Sequence, residues 1–237
     1  FDLQKSDTGF KLLKADYIII LAVTLIYSIV AFANLGDRTA PETTHIVNRG
    51  EGFVVTFEQP VYIDNMQYFL GPKEDVMLGI TVSDGDEEPV YEEHKLGYVF
   101  TWNRIDLSSV IKTMEVVCLT EKMYIKEIAF RDEAGNLIPI ESVVSTRATQ
   151  IAALNDEQDI VPAIESFKNS AYFDEIYHAR TAYEYIHGIY PYENTHPPLG
   201  KVFISFGILL FGMNPFGWRF AGTLFGILML PFIYLFA

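Results

Sequence analysis

The 237-residue chain has one cysteine, Cys118, so no disulfide can form within it. Set in MEVVCLT, that residue reads as a small buried hydrophobe on a strand. No Asn-x-Ser/Thr sequon occurs, so glycosylation gives no indication of compartment. Basic residues are scarce where they would matter for nucleic acid. Residues 41–168 hold 23 Asp and Glu against 10 Lys and Arg, which places almost all of the net charge of −14 in one stretch. An acidic, solvated domain of this kind is repelled by phosphate backbones and anionic lipid surfaces, which excludes nucleic acid as a partner.

Long apolar runs are absent from that acidic middle and concentrated at 17–35 and 199–237. The run Tyr17 to Ala33 carries no charge and follows Lys5, Lys11 and Lys14. At about 1.5 Å per residue it just crosses a hydrocarbon core of about 30 Å. It is long for a signal-peptide core, so residues 17–35 are read as an uncleaved first span, with 1–16 cytoplasmic by the positive-inside tendency and everything after Asp37 outside. The chain begins without Met and ends inside ILMLPFIYLFA, as a piece of a longer polypeptide would.

Between about 36 and 147 the pattern turns to short β-type runs: 53–57, 66–70, 76–82, 98–102, 114–120, 124–130 and 137–140. Gly71-Pro72, Asp84-Gly85-Asp86 and the turn 132–136 separate them. Such spacing predicts an antiparallel sandwich. The stretch Ile125–Asn136 resembles the closing strand and turn of galactose-binding-like jelly rolls, which implies a sugar-binding surface where Trp102 or Tyr91 would stack on a ring. The competing reading puts those aromatics in the core. The acidic tip 84–88 has the ligand type for calcium but not the spacing of a known loop, and reads better as a solvated hairpin. Residues 148–169 form a polar connector back to the membrane.

The chemistry is concentrated in Tyr172–Lys201. Tyr172, Ile176, Ala179, Tyr183 and Ile186 recur at steps of four and three, which predicts a helix with one apolar face. Asn169 or Ser170 would cap it and Gly188 would end it. Asp174 and Glu175 then fall in the first turn, where the helix dipole favours negative charge and needs no function to explain it. His178 and His187 fall on different faces and do not suggest a metal pair. Downstream, Pro197-Pro198 is expected to block helix and force an extended turn. A run of about fourteen apolar residues follows, short for a span, and after Asn214-Pro215 the segment 216–237 is long enough to cross. Trp218 and Arg219 mark its interfacial end.

The ordered set Phe173-Asp174-Glu175, Tyr185-Ile186-x-Gly188-x-Tyr190, His196-Pro197-Pro198-Leu199-Gly200-Lys201 and Trp218-Arg219 resembles the N-terminal part of the protein O-mannosyltransferase family. These are C-type, multi-pass membrane glycosyltransferases that use polyprenyl-phosphate sugars. The resemblance covers roughly 170–237 plus the first span. It implies a membrane α-helical fold carrying an inserted all-β, jelly-roll or galactose-binding-like sandwich, with juxtamembrane catalytic-loop helices over 170–215. Two departures are plain. Some 135 residues separate the first span from the acidic pair, and Glu193-Asn194-Thr195 stands where the family tends to place an aromatic-Asp-x.

The resemblance also implies roles. Asp174 would act as base toward a Ser/Thr hydroxyl, with inversion at the sugar carbon. Glu175 would orient the acceptor or raise the pKa of Asp174. Arg219 and Lys201 would neutralise the donor phosphate, and His196 would contact substrate. The implied partners are a polyprenyl-phosphate sugar, an acceptor protein and membrane lipid, with the loop and sandwich on the extracytoplasmic side of the cell membrane. No cofactor is certain, and a divalent metal is left open. Two other readings compete: a membrane-anchored extracellular carbohydrate-binding module without activity, and a C-type transferase acting on a lipid or glycan.

Overall fold

The computed structural model describes residues 12–73, 75–147 and 149–236. Of the stretch expected to be cytoplasmic, residues 1–11 lie outside the described residues, as do Ala148 in the expected connector and Ala237. The chain runs α1 (Lys14–Ala33), then β1 (His45–Asn48), β2 (Gly52–Leu70), β3 (Met77–Ser83), β4 (Val90–Lys95), β5 (Trp102–Cys118), β6 (Lys122–Arg131), β7 (Leu137–Ile138) and β8 (Ser142–Ser145). Two single-turn 3₁₀ segments follow, then α2 (Glu175–Ile186), α3 (Pro198–Phe211) and α4 (Pro215–Phe236).

The β-region is one antiparallel ladder in the order β1-β6-β2-β5-β3-β4, with β7 on β6 and β8 on β2. Its shape follows from two long strands that change neighbours partway. Phe53–Thr56 of β2 pair with β8, whereas Asn65–Leu70 pair with β6. β5 follows β2 through both halves, with register shifts between Thr56 and Val61 and between Ile63 and Asn65. Bulged strands of this kind bend from one layer into the next, so the ladder closes as a two-layer sandwich around Phe53, Phe57, Ile63, Met114 and Phe130. Phe57 and Phe130 meet edge to face at 5.1 Å.

Several strand expectations change. The runs 53–57 and 66–70 are the two halves of β2. Pro60 lies where the register shifts, one of the few places a strand interior tolerates it. Residues 98–101 form a turn, in which Phe100 has φ 52°. β1, β4 and β8 were not anticipated, because short or largely polar runs such as VYEEHK carry little apolar alternation.

The second half of β2 is buried on both faces. Ile63, Met66 and Leu70 face the sandwich core, while Phe69 joins Trp102, Val99, Phe100, Ala129, Val161 and Ile176 in a second apolar cluster. That cluster docks the sandwich onto α2, with the Phe100 and Tyr183 rings 5.1 Å apart. Trp102 is therefore core, edge-on to Phe69 at 5.4 Å. Tyr91 is exposed, but its ring crosses Gly79 and its hydroxyl donates to Glu93.

α1 and α4 are long and apolar enough to cross a membrane, and most of their side chains face outward uncovered by protein. They pack side by side through Phe32 against Phe216 and Phe220. Gly36, at φ 152°, leaves α1 where a Cβ would sit 2.6 Å from Pro215, so the turn admits no side chain. The double proline does not block helix: Pro197 is extended and Pro198 is the first residue of α3, a position whose N–H would be unpaired in any residue.

Glu127 on β6 gives a pH test. Burial is the main cause holding its carboxyl protonated up to about 8 against an ordinary 4.5, opposed by N–H donors from Gln158 and Glu157. The folded state thus holds a proton that the unfolded chain releases. This contribution is full below about pH 4.5 and lost as pH rises through about 8. Thermal unfolding of the full chain in detergent should show a lower Tm at pH 8.5 than at pH 5, and Glu127→Gln should flatten that difference. Phe130→Ala, which empties the centre of the sandwich, should cost about 3–5 kcal/mol in the same assay.

Candidate active site

α2 begins one residue after Asp174, which occupies the cap position with helical dihedrals and no capping side-chain hydrogen bond. The capping expected from Asn169 or Ser170 does not occur, because the Ser170 hydroxyl instead accepts the N–H of Trp102 at 3.1 Å. Phe173, just ahead of the acidic pair, has φ 50°, a left-handed conformation that costs a non-glycine residue about 1 kcal/mol or more. Gly188, at φ 64°, closes the far end.

The two adjacent carboxylates have different surroundings. Glu175 receives Arg219 in a two-pronged pair, Nε to Oε1 at 2.8 Å and Nη2 to Oε2 at 2.6 Å, and its Oε2 also accepts the N–H of Tyr172 at 3.0 Å. Asp174 is exposed, and among the described residues its carboxylate has no hydrogen-bond or ion-pair partner. Arg219 is more fully engaged than either. Nη1 donates to the carbonyls of Leu35 (2.9 Å) and Phe167 (2.6 Å), and Nη2 donates also to Ser170 (3.2 Å). With the two bonds to Glu175, all five guanidinium N–H groups are engaged. Arg219 thus faces Glu175 rather than Asp174 and holds no spare donor for a phosphate.

Lys201 is buried on α3. Its ammonium pairs with the Glu193 carboxylate and donates to the Glu193 carbonyl at 2.8 Å. The same carboxylate accepts from Thr195 and lies 3.2 Å from His196 Nδ1. Bonding to Lys201, then to Thr195, holds Glu193 ionised far below the usual carboxylate range. His196 folds back onto α2, its ring 5.2 Å from that of His178 and edge-on to it. His187 stacks on Tyr183 instead.

A groove runs between α2, α3 and α4. One part, about 400 Å³, is lined by Glu175, Trp218 and Arg219 among others. The other, about 280 Å³, is lined by His196, Lys201, Phe203 and Phe225. His178, Ile204 and Gly222 belong to both. Trp218 is buried, and its indole N–H has no acceptor among the described residues. The sequence raised His178 only as half of a metal pair and Glu193 only as a departure from the family pattern, and assigned neither to the site. Their signal was present only as the four-residue step from Asp174 to His178 and the acid three residues before His196.

Glu127, Asp156 and Glu157 bring carboxylate oxygens within 4.8 Å of one another, but away from the groove. Glu127 is held protonated and both its oxygens already accept N–H groups, which suits it poorly to a cation.

No family model matches the chain, and no solved structure does. Local similarity to curated proteins does exist. Proteins named polyprenol-phosphate-mannose–protein mannosyltransferase from Mycobacterium tuberculosis are 37% identical to it over 67 residues, 26% of this chain and 13% of theirs. Those of Mycolicibacterium smegmatis are 36% identical over the same length. The chain is therefore similar, over a small part of its length, to proteins named as mannosyltransferases, and the match spans 13% of those relatives.

The Glu175–Arg219 pair can be tested by stability. Arg219 is largely buried, whereas Glu175 is about one-third exposed. Glu175→Gln leaves the guanidinium without its counter-charge and should cost about 1–3 kcal/mol, below the range for fully buried pairs. Arg219→Lys cannot reproduce five directed bonds and should cost at least as much. Thermal unfolding of the full chain in detergent measures both.

Proposed function

We propose that this chain carries the donor end of the active site of a membrane glycosyltransferase. The enzyme would move a sugar, mannose by analogy with the names of its partial relatives, from a polyprenyl phosphate to a Ser/Thr hydroxyl of an exported protein. What supports this is the division between two adjacent carboxylates: Glu175 lines the groove tied to Arg219, while Asp174 is exposed, without a partner among the described residues, and one turn from His178, which lines both parts of the groove.

In this reading Asp174 is the base. A carboxylate is too weak to ionise an alcohol beforehand, so it takes the proton as the acceptor oxygen attacks the sugar carbon, while the carbon–phosphate oxygen bond breaks on the opposite face. The sugar inverts, the electron pair leaves with the phosphate and the proton stays on Asp174. Lys201 keeps one of its three N–H groups beyond its bonds to Glu193, and that donor steadies the leaving phosphate. Arg219 acts at one remove, by fixing Glu175 and with it the helix start that presents Asp174. Phe203, Phe225 and Ala221 give the groove an apolar wall suited to a prenyl chain. The groove lies among the helices, not on the sandwich, which favours transfer over a module that only binds glycan.

Asp174→Asn in the full-length protein should lower transfer from polyprenyl-phosphate-mannose to an acceptor peptide by about 10²–10⁴-fold, the range for loss of a general base. Membrane insertion should be unchanged. Near-normal transfer by that variant in purified membranes would sink the assignment.

A further inference from the structure

His178 lies one turn beyond Asp174 on α2, and its backbone N–H donates to the Asp174 carbonyl. It is the polar side chain shared by both parts of the groove, so a ligand reaching from Lys201 toward Glu175 passes its imidazole. The ring is half-buried, and among the described residues neither nitrogen has a hydrogen-bond partner. Its His196 contact is an edge-to-face ring contact that uses no ring nitrogen lone pair or proton in a hydrogen bond.

The charges around it define what it can hold. Arg219 and Lys201, the two cations lining the groove, each carry a carboxylate partner. Burial lowers the His178 pKa, with Lys201 and His196 adding to the effect and Glu193 and Asp174 opposing it. The ring is thus neutral near pH 7, with one nitrogen donating and the other accepting. Neutral imidazole suits a hydroxyl, which offers both a proton and lone pairs. A phosphate would instead be drawn to the ammonium of Lys201.

We propose that His178 is a sugar-contacting residue of the groove, hydrogen-bonding a hydroxyl of the sugar whose phosphate lies toward Lys201. The proposal rests on the donor assignment above and extends it to a residue that neither the family resemblance nor the local similarity assigns.

Equilibrium binding to the full-length protein in nanodiscs separates the sugar from its carrier. His178→Ala should raise the Kd for polyprenyl-phosphate-mannose at least tenfold while leaving the Kd for the sugar-free polyprenyl phosphate within twofold. His178→Asn, which keeps a donor and an acceptor, should recover part of the loss. Equal weakening toward both ligands overturns the proposal, since it marks a phosphate contact or a packing role, and so does no weakening toward either. Asp174→Asn, assayed alongside, should keep binding and lose transfer. If the wild type binds the mannosyl donor in this His178-dependent way but transfers nothing, the sugar contact stands and the transferase reading falls. A wild type that binds neither lipid overturns both.

Discussion

The five-fold coordination of Arg219 is the constraint on which the lower half of the molecule depends. One guanidinium gathers the end of α1 through Leu35, the connector through Phe167 and Ser170, and the start of α2 through Glu175, while itself belonging to α4. Taking an arginine out of water is expensive unless every N–H is satisfied and the charge is matched. Carbonyl oxygens satisfy the first condition and the paired carboxylate satisfies the second. Because the fork geometry is rigid, the four segments are held in one arrangement rather than merely near one another.

That arrangement explains how two neighbouring acids come to differ. Helix geometry alone would treat Asp174 and Glu175 alike, as first-turn carboxylates facing a positive dipole. The left-handed residue at Phe173 swings the chain so that Glu175 turns inward to Arg219, while Asp174 stays at the surface one turn from His178. Here one carboxylate has its charge compensated and fixed, and the other keeps its lone pairs available.

Much of this framework is legible in the residues. The apolar period of Ile176–Ile186 and the stop at Gly188 follow from local rules, as do the two long apolar runs and the sandwich rhythm, whereas Tyr172, expected on the same face, stands exposed ahead of the helix. Capping is not legible, because the hydroxyl of Ser170 is drawn to Trp102, a partner 68 residues away. The merging of two runs into β2 is hidden by Pro60, which locally reads as a break. The engagement of Arg219 is the largest gap. Its carbonyl partners are 184, 52 and 49 positions distant, and no spacing rule reaches across an intervening domain.

The same contacts bear on the 140 residues that separate α1 from the acidic pair. Entry and exit of that segment are pinned together: the Asp37 N–H donates to the Lys168 carbonyl at 2.7 Å, and Leu35 and Phe167 share one nitrogen of Arg219. A segment whose ends meet leaves its flanking helices side by side, and the entropy of closing such a loop grows only slowly with its length. The sandwich supplies its own core, and its second apolar face, through Phe69 and Trp102 against Ile176, adds a footing on α2. A large domain can therefore stand between the first long helix and Asp174 without displacing the groove, because its two ends close on the same arginine that holds the helix start.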